Sequence, residues 1–259
     1  MSSVASGYYR PGSSWLHRRN PITKLLGLGW ILLAAFLLSP AADAALLIVL
    51  GLLAAGTGLL RPLLRSLRIP AVLIASILFV NAFFYPGGAH VIAQFGPVAI
   101  SREGLAFGVS SAARLLAAFL ASILFLFTTL ADDMLEALVA RGGSYRIAFV
   151  ILSAVQLVPR LQGRANTILE AQQARGLIIT GSLGTRLRAL VPLVGPILLG
   201  SLIDVRERTF ALEARAFGAK PERTAYRLVV DPPIDRWLRL AILAGVVTII
   251  GIALLGAGR

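Results

Sequence analysis

Two short stretches hold the residue types that could do directional chemistry. Glu170 to Leu177 reads EAQQARGL, and Leu212 to Ala219 reads LEARAFGA. The first brings together Glu170, Ala174, Arg175 and Gly176; the second brings together Glu213, Ala214, Arg215 and Ala216, with Gly218 close behind. An arginine guanidinium is a planar fork of permanent charge, able to make a bidentate contact with a carboxylate. Either arginine alone could simply offset the macrodipole in the last turn of a helix. Two near-copies about forty residues apart suggest a contact made twice, as a partner with two similar subunits would receive it.

Each stretch sits where a helix is predicted to stop, with Gly176 after Arg175 and Gly218 after Arg215 as terminators. The upstream sequence predicts two long helices, about 146–176 and 185–216. Their apolar runs, RIAFVILSAVQLVP and ALVPLVGPILLGSLI, are short for a membrane span and suit buried or interfacial helices better. At about 100° per residue, Gln156, Arg160, Arg164, Thr167 and Arg175 share one face. Ile147, Ile151, Val158, Leu161, Ala165 and Ile168 take the opposite one. Pro159, Pro192 and Pro196 are expected to kink or break these helices. A shorter helix, about 132–141, precedes them: Asp132 and Asp133 suit its N-terminus, Arg141 its C-terminus, and Gly142-Gly143 ends it. An insert with one oily face needs a bilayer surface or a second membrane protein to cover it.

The rest of the chain supplies the membrane. Of 259 residues, 57% are hydrophobic and only 14% charged, and the mean hydropathy is +0.82. A soluble domain would be about a quarter charged, so the composition points to an all-α integral membrane protein. Five segments are apolar and long enough to span: about 22–38, 44–60, 69–85, 105–130 and 237–255. The polar, basic first twenty or so residues argue for a retained first span rather than a cleaved signal peptide.

The net charge of +13 is almost entirely arginine, Lys24 and Lys220 being the only lysines. These charges lie mostly between apolar segments, where the positive-inside rule places them, so nucleic acid is not an expected partner. Arg10, Arg18, Arg19 and Lys24 precede or open the first span, and Arg61, Arg65 and Arg68 link the second to the third. The counts put the N-terminus and residues 131–236 inside and the C-terminus outside. The resulting organisation is 1–130 for the tail and four spans, 131–236 for a cytoplasmic insert, and 237–259 for the last span.

Other chemistries find little support. There is no cysteine, and His17 and His90 stand far apart, so thiolate chemistry is excluded and a histidine-based metal site is not expected. Gly-Lys never occurs, so no phosphate loop of the common type is present. Asp132-Asp133 reads as a helix start rather than a catalytic or metal-binding pair. Arg114 lies inside the fourth span, where a structural role in the bundle competes with substrate contact. Asn81 in the third span is expected to hydrogen-bond between helices, and the small-residue runs GLLAAGTG and GVSSAA to allow close packing. A stand-alone channel or secondary transporter would place several polar groups at mid-membrane, and only Arg114 and Asn81 come near that. A membrane-embedded transferase would need an acid cluster or a histidine at one face. The acids are instead expected to pair with neighbouring arginines: Glu207 with Arg206 or Arg208, and Glu213 with Arg215.

Nearly the whole chain resembles the T component of energy-coupling factor transporters, the membrane scaffold of a vitamin- and metal-uptake class of ABC transporter. SWLHRRNPITKLL is similar to that family's opening, and ISREGLAFGVSSAARLL to its entry into the fourth span. TTLADDMLEALVARGGSYRIAFVILSAVQLVPRL resembles the run into its coupling helices. EAQQARG and LEARAFGA, with Arg223-Thr224 following, resemble its two Ala-Arg-Gly signatures.

The resemblance implies a non-catalytic subunit in a prokaryotic plasma membrane. Two cytoplasmic ATPase subunits would hold the ATP and magnesium, with no cofactor on this chain. A separate S component would bind the vitamin or metal ion, such as cobalt or nickel, and rest on the apolar side of the coupling helices. Arg175 and Arg215 would be the ATPase contacts, flanked by Ala174, Gly176, Ala214 and Ala216 and supported by Glu170, Glu213 and Gly218. Ala216 departs from the pattern, since glycine is usual there and alanine resists a positive φ. That leaves the second cap's geometry open.

Overall fold

A computed structural model describes residues 9–86, 90–95, 98–177, 182–218 and 230–257. Its elements in chain order are α1 (Pro21–Leu37), α2 (Pro40–Gly56), α3 (Leu60–Ser66), α4 (Arg68–Phe84), β1 (Val91–Phe95), β2 (Val98–Ser101), α5 (Arg102–Thr128), α6 (Ala131–Val139), α7 (Tyr145–Ala174), α8 (Leu183–Ala214) and α9 (Pro233–Ala257). They divide into two compact units, one holding α1–α6 with α9 and the other holding α7 and α8.

In the larger unit, local chemistry starts and stops the helices. Asn20 caps α1 by accepting from the Ile22 N–H at 3.0 Å, with Pro21 in the first helical position, where a missing N–H costs nothing. α2 ends at Gly56, short of the predicted 60. Gly58 turns left-handed at φ 71°, the Leu59 N–H bonds the Ala54 carbonyl and the Gly58 N–H that of Ala55. This is a Schellman stop. The stretch RPLLRSLR is therefore not a plain link. Most of it forms α3, which meets α4 at a bend of 52° and buries Leu59 and Leu63 in the core.

α5 is the central element. Its Ala117, Leu120, Ala121, Leu124 and Phe127 pack with Ala34 and Ala35 of α1 and with Leu46, Leu50 and Ala54 of α2. α4 approaches it closely, because Gly108 leaves room for Asn81 and Leu78, and Gly104 sits against the Asn81 carbonyl. The small residues of the GVSSAA region thus do pack closely. Asn81 itself does not bridge helices: its amide donates to the Ile77 carbonyl of its own helix at 2.8 Å. One turn back along a helix is the nearest free acceptor for a short amide side chain. Before α5, β1 and β2 form an antiparallel hairpin pairing Phe95 with Val98 and Gln94 with Ala99. The helical reading had no place for it.

By length and composition α5 is able to cross a bilayer, and α3 with α4 passes the same test as a bent pair. α1 and α2 are shorter apolar helices of 17 residues each. Residues such as Val72 (80% exposed) and Trp237 (74%) face outward from the bundle, the arrangement a lipid solvent permits and water penalises.

The same unit holds polar joints. Asp235 in the first turn of α9 is fully buried. It accepts from the Asn20 N–H at 2.8 Å and from Arg19 Nη1 at 3.2 Å. Lys24 Nζ donates to the Thr128 carbonyl at 2.7 Å. Arg114 is a structural partner within the bundle, its Nε lying 3.7 Å from the buried carboxylate of Asp43 on α2. Before α1, His17 Nε2 points at the Arg10 carbonyl at 3.0 Å and Nδ1 at the Ser14 hydroxyl at 2.6 Å. Burial lowers the His17 pKa below its ordinary value and the nearby Lys24 charge adds to that, while the bond to the Arg10 carbonyl opposes both. A neutral ring with its proton on Nε2 satisfies both partners.

Candidate functional site

α7 and α8 carry the two signatures. α7 runs 30 residues through Pro159, and α8 runs 32 residues through Pro192 and Pro196. The prolines do not break these helices, which stay continuous across them. Each presents long apolar side chains to the outside, including Ile147, Val150 and Val158 on α7 and Leu198, Leu199 and Leu202 on α8.

The helix ends are built alike. α7 stops at Ala174, and Arg175 is its cap residue at φ −89°, ψ 9°. Gly176 follows at φ 93°; its N–H bonds the Gln173 carbonyl at 2.9 Å, and the Leu177 N–H bonds the Gln172 carbonyl at 3.0 Å. α8 stops at Ala214, and the pattern repeats. The Ala216 N–H bonds the Glu213 carbonyl at 2.9 Å, and the Phe217 N–H bonds the Leu212 carbonyl at 3.0 Å. Both are Schellman motifs. Ala216 occupies the position of Gly176 at φ 54° and is the only non-glycine residue with positive φ among those described. The alanine does not change the cap; it adopts the left-handed conformation at a cost of about 1 kcal/mol.

What holds Ala216 there is visible next door. The Phe217 ring lies 4.8 Å from Phe149 and 5.7 Å from Tyr145 between centroids, both at the start of α7. Such aromatic pairs contribute about 0.5–1.5 kcal/mol each beyond their burial, enough to offset the strain of one left-handed alanine. Gly218 follows at φ 86°. Arg223-Thr224, which follow the second signature, lie outside the described residues.

These contacts also fix the direction of the pair. Residue 217 meets residues 145 and 149, and Arg164 meets Gly200 and Asp204. α7 and α8 are therefore antiparallel, and Arg175 and Arg215 sit at opposite ends of the pair. A rise of 1.5 Å per residue puts them roughly 35 Å apart if the helices are straight. Both arginines are exposed. Among the described residues neither has a hydrogen-bond or ion-pair partner for its guanidinium.

Glu170 and Glu213 are exposed as well. The expected pairs of Glu213 with Arg215, and of Glu207 with Arg206 or Arg208, do not form among the described residues. On a helix, positions one or two apart point to different faces. The acid that does pair is Asp204, bidentate to Arg164 at 2.7 and 3.3 Å across the two helices. Asp204, Gly200, Asp43 and Asp235 were not singled out from sequence. A lone acid at or beside an apolar run was the available signal for three of them, but their partners are set by tertiary contact.

Chemically, the arrangement is two guanidinium forks, unpaired among the described residues, at the two tips of one antiparallel pair, each held by a hydrogen-bonded turn. Each fork can dock an acidic or carbonyl-lined groove.

The sequence is similar to known proteins along most of its length. The family model described as CbiQ, cobalt transport protein, matches residues 12–226. The chain is 33% identical over 242 residues to the energy-coupling factor transporter transmembrane protein EcfT of Bacillus selenitireducens, covering 88% of each chain. It is 28% identical over 257 residues to the protein of that name from Acidaminococcus fermentans, covering 94% of each. A protein of Bifidobacterium longum named as an ABC transporter ATP-binding protein is 29% identical over 253 residues. That alignment takes in 93% of this chain and 32% of the longer one.

Proposed function

The chain belongs to the CbiQ family, and from that premise we propose that it is the energy-coupling membrane scaffold of an energy-coupling-factor importer. On this reading α1, α2, the α3–α4 pair, α5 and α9 cross the membrane, and α7 and α8 are coupling helices on the cytoplasmic side. Arg175 and Arg215 each enter a groove on one of two ATPase subunits, which carry the ATP and magnesium. The apolar faces of α7 and α8 support a separate substrate-binding S component, and that component selects the vitamin or metal ion. This chain catalyses nothing itself; it passes ATP-driven motion from one partner to the other.

The observation that carries the reading is the pair of like-built helix ends, each with an exposed arginine, at opposite tips of one antiparallel pair. The relatives' names support the coupling role. The Bifidobacterium protein supports an ATPase association, since a region like this chain lies within a longer polypeptide named for ATP binding.

The test is affinity purification from the native host in mild detergent. Wild type is expected to bring down two nucleotide-binding subunits and a small hydrophobic protein. Arg175→Ala with Arg215→Ala should reach the membrane normally, lose at least tenfold of the captured ATPase and abolish uptake. Normal capture and normal uptake by the double variant would overturn the assignment. Transport by the chain reconstituted alone would replace the scaffold with a self-contained transporter.

A further inference from the structure

Beyond the aromatic cluster, α7 and α8 meet at Arg164, Gly200 and Asp204. The Arg164 guanidinium lies across Gly200 and closes a two-point bond on Asp204, Nη1 at 2.7 Å and Nη2 at 3.3 Å. A Cβ placed on Gly200 would fall 2.8 Å from Arg164 Nη1 and 2.9 Å from Cζ, so alanine would require the flexible end of Arg164 to shift. One turn separates Gly200 from Asp204, which aligns seat and anchor on a single face of α8. A planar fork bonded at both prongs fixes orientation as well as distance, which a single-point lysine contact would not.

The lever arms give this contact its meaning. Arg164 is eleven residues before Arg175, and Asp204 eleven before Arg215, so each signature stands about 16 Å along its helix from the contact. A small rotation there becomes a displacement of several ångströms at each tip. The pair is partly exposed, and such pairs add little to global stability. Its effect is on geometry.

We propose that Arg164, Gly200 and Asp204 form a brace that sets the crossing of α7 and α8 and thereby the spacing of Arg175 and Arg215. This rests on the reading of those arginines as ATPase contacts. The brace residues are positioning residues: they touch neither ATPase nor substrate, and they keep two docking tips in register with two ATPase grooves.

The chain has no cysteine, so spin labels at Gln173→Cys and Ala211→Cys report the tip spacing without background. Both positions are exposed and lie outside the Ala-Arg-small triplets. The braced chain is expected to give one narrow distance distribution. Arg164→Ala should broaden it or shift it by about 5 Å, one helical turn, and Gly200→Ala, with both charges left in place, should broaden it less, because the end of Arg164 is able to yield. Arg164→Asp should act as Arg164→Ala does, and adding Asp204→Arg should restore the narrow distribution, which a variant that merely misfolds could not do. In purified complexes the single variants should keep their ATPases but lose uptake at least fivefold relative to ATP hydrolysis.

An unchanged distribution in Arg164→Ala and Gly200→Ala would overturn the brace. Failure of the wild-type chain to capture ATPases would overturn the docking reading and leave the distance result standing, so the two failures are separable.

Discussion

At the scale of single residues, Ala216 is the most informative position. Its backbone copies a glycine that the first signature has and the second lacks, with φ 54° against 93° at Gly176. Alanine in that well costs about 1 kcal/mol, while glycine gives back part of the gain through a freer unfolded chain. Ala216→Gly is therefore expected to stabilise the second cap by about 0.5–1 kcal/mol. The measurement is hydrogen exchange at the Phe217 amide, which donates the longer bond of the motif, to Leu212; exchange should slow severalfold. Faster exchange would mean that the Phe217–Phe149–Tyr145 cluster, rather than backbone preference, shapes this end. Alanine's reluctance toward positive φ was plain in the sequence. That three aromatics spaced 68 and 72 positions from the nearest to the furthest would gather beside it was not, because such contacts depend on how α7 and α8 run.

At the scale of elements, the joint between α1 and α9 rests on one buried carboxylate. Asp235 takes the Asn20 N–H and an Arg19 prong, and it has no solvent exposure. Asp235→Ala would strand an N–H and a mostly buried guanidinium, and removing one partner from such a site costs about 3 kcal/mol or more. Thermal unfolding in detergent should show that loss. Asp235→Asn, which keeps a hydrogen-bond acceptor, should lose less; equal loss in both would mean that charge, not hydrogen bonding, dominates the joint. Helix ends were the legible part of these elements. Gly142-Gly143 marks the end of the short helix by local backbone chemistry, and α6 stops just before it, with Gly142 at φ 94°. Pairings were not legible. Arg114 and Asp43 are separated by two helices and a hairpin, and nothing local links them. The Glu–Arg neighbours failed for the opposite reason: adjacency in sequence looks like proximity, yet on a helix it separates side chains. α3 was missed because three arginines made a helix look like a link.

At the scale of the whole molecule, the polar joints determine which helix ends lie together in the larger unit. The starts of α1 and α9 meet at Asp235, and the end of α5 meets the start of α1 through Lys24 and Thr128. Arg10 joins them, its N–H bonding the Phe127 carbonyl. Arg10, Arg18, Arg19 and Lys24 therefore gather at one end of the bundle, and the positive-inside rule predicts that end to be cytoplasmic. Since α5 begins at the opposite end, the β1–β2 hairpin before it is expected outside. On the same expectation, the chain leaving α5 for α6 and α7 starts inside. Single cysteines decide this directly, because the native chain has none. Ile92→Cys, on an exposed hairpin position, should react with a membrane-impermeant maleimide on intact cells, and Gln173→Cys only after the membrane is opened. If Gln173→Cys reacts on intact cells, the signatures face away from any cytoplasmic ATPase, and the coupling role fails whatever the helices look like. If neither reacts until opening, the hairpin is buried or inside, and the bundle's sidedness must be assigned by something other than its arginines.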